Sequence, residues 1–214
     1  MTLPFSGPAR TLAAIIAIAV FVTLALQTSI NLERDGSPLF AFALLLRFFT
    51  IWTNFAAGLI LGWVALRGRA DERVLFALAT AIAIVALVYH GVLAADHHPV
   101  GLDRWTNQMF HSAIPAATIL WWLAFSRPSQ MGWRSLPWVM VVPVVYTVFA
   151  QIVGAASGFY PYFFLDLPKL GWAMLLANLA GLSLCFLLIA ALLLAVRSSA
   201  TRLTGTQSDP ARIP

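Results

Sequence analysis

The sequence predicts an all-α membrane protein, built as a bundle of six transmembrane helices. Of its 214 residues, 61% are hydrophobic and only 10% are charged, whereas a soluble globular domain carries about a quarter charged residues. Apolar runs long enough to cross a bilayer recur along the chain, and polar or charged residues separate them. At about 20 residues per crossing, the length allows about six helices and no separate soluble domain.

The six predicted spans belong to one transmembrane domain, residues 1–197. The first span could be mistaken for a signal peptide, but its apolar region is too long and no small-residue cleavage site follows it. Residues 39–46 either extend the second helix or lie along the membrane interface. Residues 198–214 are polar and are expected to form a disordered cytoplasmic tail. The spans are predicted at residues 11–30, 47–66, 74–95, 105–125, 136–154 and 171–196.

The basic residues flank these spans unequally. Six spans place both termini on the same side of the membrane, and that side carries Arg10, Arg67, Arg69, Arg73, Arg127, Arg134, Arg197, Arg202 and Arg212. The other side carries only Arg34, Arg47, Arg104 and Lys169. Because cytoplasmic loops are enriched in Lys and Arg, the termini are predicted to be cytoplasmic. The net charge of +5 therefore indicates topology and lipid headgroups, and no nucleic acid partner.

Polar side chains within the apolar runs concentrate in the half of the bundle away from the termini. Arg47, Thr50 and Asn54 follow one helical face at i, i+3 and i+7. By the helical rise, the groups that lie about 5–10 Å below the outer rim are Thr50, His90, His111 and Asn178. Because unpaired polar groups are costly in hydrocarbon, this segregation predicts a site or a water-accessible vestibule that opens to the outer face.

A proline follows the histidine of the fourth span. Asn107, His111 and Pro115 recur at i, i+4 and i+8, so they share one helical face. Pro115 has no N–H to donate to the His111 carbonyl, and its ring crowds that oxygen. We expect the helix to bend just after His111 and to leave the His111 carbonyl free for another partner.

Thr50 and His111 would form a nucleophile and its base if the two side chains meet. Histidine acts as a base near neutral pH, and threonine is a weak nucleophile until a base takes its proton. The groups that could orient the imidazole, hold the substrate or stabilise an oxyanion are His90, Asn54, Asn107 and Asn178. Arg47, at the rim, suits a carboxylate. This hydrolase interpretation needs neither a metal nor a cofactor.

The same residues leave other interpretations open. His90 and His111 could ligate a haem or a metal from neighbouring helices. Thr50 could simply bond to the backbone of its own helix, which is the common fate of threonine in membrane helices. The alternatives to a hydrolase are thus a non-catalytic membrane protein that binds a lipid, a small molecule or haem, and a purely structural protein.

Three stretches resemble a known family. Residues 107–115, N-Q-M-F-H-S-A-I-P, resemble the N-x-x-x-H-x-x-x-P signature of the androgen-induced membrane protein family, whose bacterial relatives are called Pr6Pr membrane proteins. Residues 47–54, R-F-F-T-I-W-T-N, are similar to the aromatic-threonine segment of that family's second helix. Residues 160–166, Y-P-Y-F-F-L-D, are similar to a motif of the bacterial branch.

The resemblance implies an activity and a site. Animal members of the family are atypical threonine hydrolases that cleave fatty acid esters of hydroxy fatty acids with one intramembrane threonine and one histidine. Carried over, it implies that Thr50 is the nucleophile and His111 the base, with Thr53, beside Asn54, as the other candidate nucleophile. The implied partner is a membrane lipid or fatty acyl ester, and the implied location is the bacterial plasma (inner) membrane. The oligomeric state stays open.

Overall fold

The regular structure of the chain is helical wherever it is described. A computed structural model describes residues 4–126 and 133–205, and within these ranges it contains seven helices and no strand. The helices are α1 (Gly7–Asp35), α2 (Pro38–Leu45), α3 (Phe49–Arg67), α4 (Glu72–Leu93), α5 (residues 101–125), α6 (Trp133–Ser157) and α7 (Leu167–Gly205). Of these, α1, α3, α4, α6 and α7 are long and apolar enough to cross a membrane. The chain therefore has the character of an integral membrane protein.

The helix ends follow local sequence signals. Ser6 caps α1, because its side chain accepts a hydrogen bond from the Ala9 amide at 3.4 Å, and a proline in the first turn of α1 needs no partner for its nitrogen. Gly36 ends α1 in the left-handed conformation, with φ at 77°. Such caps lengthen the predicted spans by a few residues at their ends.

Residues 39–46 do not continue α3. They lie mostly in α2, which Ser37 caps by accepting a hydrogen bond from the Phe40 amide at 3.2 Å. Leu39 and Phe40 are largely exposed on this short helix. Because α2 is a separate apolar helix that packs against α1, it favours the second of the two predicted placements, along the membrane interface.

Helix α7 runs further than the predicted sixth span. It continues to Gly205, past Ser198, where the polar tail was expected to begin. The hydroxyls of Ser198 and Ser199 donate to the carbonyls of the preceding turn, at 2.7 Å to Leu194 and 2.9 Å to Ala195, so these polar residues do not end the helix. The remainder of the predicted tail, residues 206–214, lies outside the described residues.

The start of α1 and the C-terminal parts of α3, α5 and α7 lie at the same end of the bundle. The Phe5 amide donates to the Gly68 carbonyl at 2.6 Å, just past α3, and the Trp121 indole of α5 donates to the Ala9 carbonyl at 2.8 Å. Arg197 of α7 bonds to Ser126, which follows α5. These contacts gather at one end of the bundle, and the polar residues predicted to form a site gather away from it.

The spans differ in how deeply they are buried. In the most apolar window of α4, 56% of the residues are buried, whereas the values for α6 and α7 are both 22%. Helix α4 is therefore central, and α6 and α7 present most of their surface outward. Since large apolar side chains on an outer surface suit lipid and not water, this pattern fits a membrane-embedded bundle.

Candidate active site

The hydroxyl of Thr50 meets the imidazole of His111. Thr50 Oγ1 lies 3.3 Å from His111 Nε2, although 60 other residues separate the two along the chain. Thr50 stands in the first turn of α3 and is only 8% exposed. His111 stands in a π-helical turn of α5, Met109–Ala113. The structure thus brings together the two residues that the sequence singled out as nucleophile and base.

A backbone contact decides which nitrogen of His111 is protonated. His111 Nδ1 lies 3.0 Å from the carbonyl oxygen of Asn107, and a carbonyl can only accept. In the neutral ring, Nδ1 therefore carries the hydrogen and Nε2 presents its lone pair. The Thr50 hydroxyl is then the donor to His111 Nε2. This is the arrangement that a general base needs in order to take the threonine proton.

Tyr89 fixes the plane of this imidazole. Its ring stacks on the His111 ring with centroids 3.9 Å apart and planes 22° from parallel. The Asn107 side-chain amide donates to the Tyr89 hydroxyl at 2.5 Å. Asn107 thus orients the imidazole twice, through its carbonyl and through Tyr89. Tyr89 was not predicted from the sequence, where its only signal is a polar aromatic residue inside an apolar run beside His90.

Asn54 joins the two helices that carry the pair. Its side chain is fully buried, and its Nδ2 donates to the carbonyls of Thr50, at 2.8 Å, and Phe110, at 3.1 Å. Because both amide hydrogens are used, Asn54 holds α3 against α5 and has no hydrogen to give to an oxyanion. Its Oδ1 has no hydrogen-bond partner among the described residues.

The distortion near Pro115 begins before the proline. In the π-turn Met109–Ala113 the Ile114 amide bonds to the Met109 carbonyl instead of the Phe110 carbonyl. The Phe110 carbonyl is therefore released, in addition to the His111 carbonyl that Pro115 cannot pair, and Asn54 donates to it. A second π-turn, Tyr89–Leu93, ends α4 beside the first and carries Tyr89.

Thr53 and Thr50 differ in what their hydroxyls contact. Thr53 Oγ1 donates to the carbonyls of Phe49 and Thr50, both at 3.0 Å and both in its own helix. It is 2% exposed and makes no contact with His111. The geometry accordingly favours Thr50 over Thr53 as the partner of the base.

His90 lies on the far side of Tyr89 and does not reach the pair. It is exposed, and its Nε2 lies 3.0 Å from the Ser112 hydroxyl. The rings of His90 and His111 both contact the Tyr89 ring, and both nitrogens of His111 are already engaged, so a haem held between the two histidines does not fit. The described residues contain no group of three or more His, Cys, Asp or Glu placed to hold a metal ion.

Asn178 and Arg47 contact the loop between α6 and α7. Asn178 donates from its amide to the Phe164 carbonyl at 3.1 Å, so it holds the short 3₁₀ turn Phe163–Leu165 and does not approach Thr50. The Arg47 guanidinium lies 5.3 Å from the ring centroid of Phe159. Within the described residues it has no hydrogen-bond or ion-pair partner, so it is available to an anionic group.

Tyr162 approaches Thr50 from the loop between α6 and α7. Its hydroxyl accepts a hydrogen bond from the Phe49 amide at 3.1 Å. The side chain of Phe48, the N-cap of α3, makes no capping hydrogen bond, so Tyr162 supplies the missing acceptor. Burial raises the pKa of the Tyr162 hydroxyl, so Tyr162 keeps its proton and remains a donor.

The position of that loop depends on a glycine of α6. The Tyr160 ring lies directly over Gly154, where a side-chain carbon would overlap the ring. Tyr162 follows two residues later. Residues 160–166 of this loop are part of the family resemblance. The sequence does not predict that the loop returns to the start of α3.

A cavity of about 240 Å³ opens beside the pair. Thr50, Tyr89 and Tyr162 line it, together with side chains of α3, α4, α6 and α7. The rest of the lining is almost wholly apolar and includes Ile84, Val85, Val88, Leu182 and Phe186. The Thr50 hydroxyl is therefore presented to a space that suits hydrocarbon.

The chain matches no protein-family model, no curated protein and no solved structure.

Proposed function

We propose that this protein is an intramembrane threonine hydrolase that cleaves lipid esters. The observation that carries the proposal is the 3.3 Å contact between the Thr50 hydroxyl and His111 Nε2, with His111 Nδ1 held by the Asn107 carbonyl. The apolar cavity at Thr50 supports a fatty acyl substrate, because it has room for hydrocarbon and little to offer a sugar or a nucleotide. From the resemblance of residues 47–54, 107–115 and 160–166, we also propose that the chain belongs to the bacterial branch of the androgen-induced family.

The reaction proceeds in two halves. Thr50 Oγ1 forms a bond to the ester carbonyl carbon as its proton passes to His111 Nε2, which gives a tetrahedral oxyanion. The oxyanion collapses, the bond to the alkoxide breaks, and the imidazolium returns the proton to that alkoxide. A water molecule then attacks the acyl-threonine carbonyl carbon while His111 takes a proton from the water. The bond between that carbon and Thr50 Oγ1 breaks, and His111 returns the proton to Thr50 Oγ1. The products are an alcohol and a fatty acid.

Tyr162 is the best-placed donor to the oxyanion. Asn54, Asn107 and Asn178 were the candidates from sequence, but none of them lines the apolar cavity, and Asn54 already uses both of its amide hydrogens. Tyr162 lines the cavity with Thr50, and its hydroxyl keeps a proton. The first turn of α3 adds its positive dipole end at the same place, because Thr50 is the second residue of that helix. Both features favour negative charge beside Thr50.

The topology that we propose follows the distribution of basic residues. Residues 101–125 form a sixth crossing, more polar than the five longer apolar helices because it carries Asn107 and His111. Six crossings with cytoplasmic termini place nine basic residues inside and four outside. The site then opens to the outer leaflet of the bacterial plasma membrane, with Arg47 at the rim to hold a free carboxylate of the substrate.

Covalent labelling tests the nucleophile directly. A fluorophosphonate probe reacts with an activated hydroxyl, so we expect it to form an adduct with Thr50 in membranes that contain the protein. The adduct is located by tryptic mass spectrometry, which separates Thr50 from Thr53 by fragment ions. An adduct on another residue, or none at a probe concentration that labels a control hydrolase, would contradict the proposal.

The lipid-binding interpretation is the second candidate, and the apolar cavity favours it equally. A protein that only binds a lipid needs the cavity but no activated hydroxyl. It would therefore bind fatty acyl ligands without reacting with the probe. The labelling experiment distinguishes the two functions.

Tyr162→Phe should slow the chemistry with little effect on substrate binding. The variant removes one donor to the oxyanion, and such losses lower kcat by roughly 10²–10³-fold. The ring and its packing are retained, so KM should change little. Tyr146→Phe is the matched control, because the Tyr146 hydroxyl donates to the Arg47 carbonyl at 2.7 Å and not to Thr50. Equal kcat in Tyr162→Phe and wild type would remove Tyr162 from this role.

A further inference from the structure

A second, polar cavity lies between the end of α4 and the beginning of α5. Its volume is about 390 Å³, and we refer to it as the vestibule. The polar side chains that line it are His90, His97, His98, Arg104, Asn107 and Gln108. It shares Tyr89 with the apolar cavity, so one aromatic ring separates the two spaces. The hydrolase chemistry proposed above uses neither Arg104 nor the loop histidines.

The charge of this lining is of one sign. Arg104 is exposed and has no ion-pair or hydrogen-bond partner among the described residues, and no Asp or Glu lines the vestibule. Asp103, the neighbouring acid on α5, accepts a hydrogen bond from Gln27 of α1 at 2.9 Å and does not line the vestibule. Asp96 is exposed in the preceding loop and lies outside the lining as well.

The donors around this space match an oxyacid anion. A guanidinium donates in a planar fork that fits two oxygens of a carboxylate or a phosphate. The side-chain amide of Gln108 and the imidazoles of His97 and His98 add further hydrogen-bond donors. Two other kinds of ligand are disfavoured: a neutral molecule has no charge to offer Arg104, and a cation would carry a charge of the same sign as the guanidinium.

Large apolar side chains are exposed at the start of α5. Val100 lines the vestibule and is 80% exposed, and Leu102 and Trp105 follow it at 59% and 72% exposure. A small inorganic anion would gain no binding energy from these apolar side chains, whereas the hydrocarbon chain of an amphiphile could pack against them. The charged interior and the apolar rim together distinguish an amphiphile from a free ion.

We propose that the vestibule binds the carboxylate or phosphate head of a single-chain anionic amphiphile, with Arg104 as its principal contact. The site does not require Thr50 to be a nucleophile. If the hydrolase proposal also holds, the fatty acid that the reaction releases is one such amphiphile.

Water-soluble eight-carbon probes test this site. Binding to the full chain in phosphatidylcholine nanodiscs is measured by thermophoresis for octanoate, octyl phosphate, octanol and inorganic phosphate. Octanoate and octyl phosphate should bind at least about tenfold more tightly than octanol, since a charge-assisted hydrogen bond is lost with the alcohol. Arg104→Gln should weaken octanoate binding by about tenfold.

The controls separate this site from other effects. Arg34→Gln should bind octanoate like wild type, because Arg34 is an exposed arginine that pairs with Asp35 instead. Thr50→Val should also bind octanoate like wild type, so a failed hydrolase test would leave this result intact. Equal binding of octanol and octanoate, or unchanged binding in Arg104→Gln, would overturn the site. Inorganic phosphate that binds as tightly as octyl phosphate would overturn the amphiphile as its ligand.

Discussion

Thr50→Val should reduce lipid ester hydrolysis by roughly 10³-fold or more, because the substitution removes the nucleophilic oxygen and keeps the shape of the side chain. The hydroxyl that is lost contacts His111 at 3.3 Å and faces the apolar cavity. Hydrolysis is measured with a fatty acyl ester in detergent micelles or liposomes, and kcat/KM is compared between purified proteins. Thr50→Ser keeps a hydroxyl and should retain measurable activity.

Thr53→Val is the matched control for this experiment. Both threonines lie in the first turns of α3 and both are buried, at 8% and 2% exposure. The Thr53 hydroxyl bonds only to carbonyls of its own helix, so Thr53→Val should keep activity within a few-fold of wild type. If Thr53→Val is inactive while Thr50→Val is active, the nucleophile is Thr53 and not Thr50.

His111→Gln should lower kcat by roughly 10²–10⁴-fold, because glutamine fills similar space but cannot accept and return a proton. The effect should depend on the leaving group. A simple alkoxide needs the proton that His111 returns, whereas p-nitrophenolate leaves without one. We therefore expect a larger loss for an alkyl ester than for the corresponding p-nitrophenyl ester, with both rates measured on the same preparation.

Two further measurements show whether the loss at His111 is chemical. The thermal unfolding midpoint of His111→Gln should stay within a few degrees of wild type if the bundle is intact, and His90→Gln should be nearly as active as wild type. His90 is exposed and bonds to Ser112, so its loss leaves the Thr50 contact untouched. An unfolded His111→Gln, or an equal loss in His90→Gln, would argue that the imidazole supports structure instead of proton transfer.

The class of the fold and the level of the site follow from the sequence alone. A low content of charge, together with apolar runs of bilayer length, is enough to predict a helical membrane bundle. The constant rise of a helix then converts residue number into depth, so Thr50 and His111 could be assigned to one level before any contact was known. The caps that lengthen the helices are local signals too, as at Ser6 of α1.

The rotation of each helix about its axis is not determined in this way. Thr50 and Thr53 lie less than one turn apart, and which of them meets His111 depends on how α3 packs against α5. Asn54 was a candidate oxyanion donor by type, yet its amide is consumed by the carbonyls of Thr50 and Phe110. Periodicity alone cannot show such contacts, because they are made with residues that are distant in the sequence.

Pro115 shows what a local rule can predict and what it cannot. The proline predicts a disturbed hydrogen-bond ladder, because it cannot donate to the His111 carbonyl. It does not predict the π-turn before it, which also releases the Phe110 carbonyl to Asn54 of α3. A single-residue insertion of this kind depends on the neighbouring helix that uses the free carbonyl.

The composition and the helical period thus determined that this protein is a membrane-embedded helical bundle with a polar site at one level. Only the tertiary structure decided that Thr50 is the residue beside the base, that Tyr89 sets the imidazole plane, and that Tyr162 covers the start of α3. The physical reason is that depth along a helix is a property of the chain itself. The direction in which a side chain faces depends on how two segments of the chain pack together. The loop 158–166 accordingly brings the Tyr162 hydroxyl to α3 only when the bundle has packed.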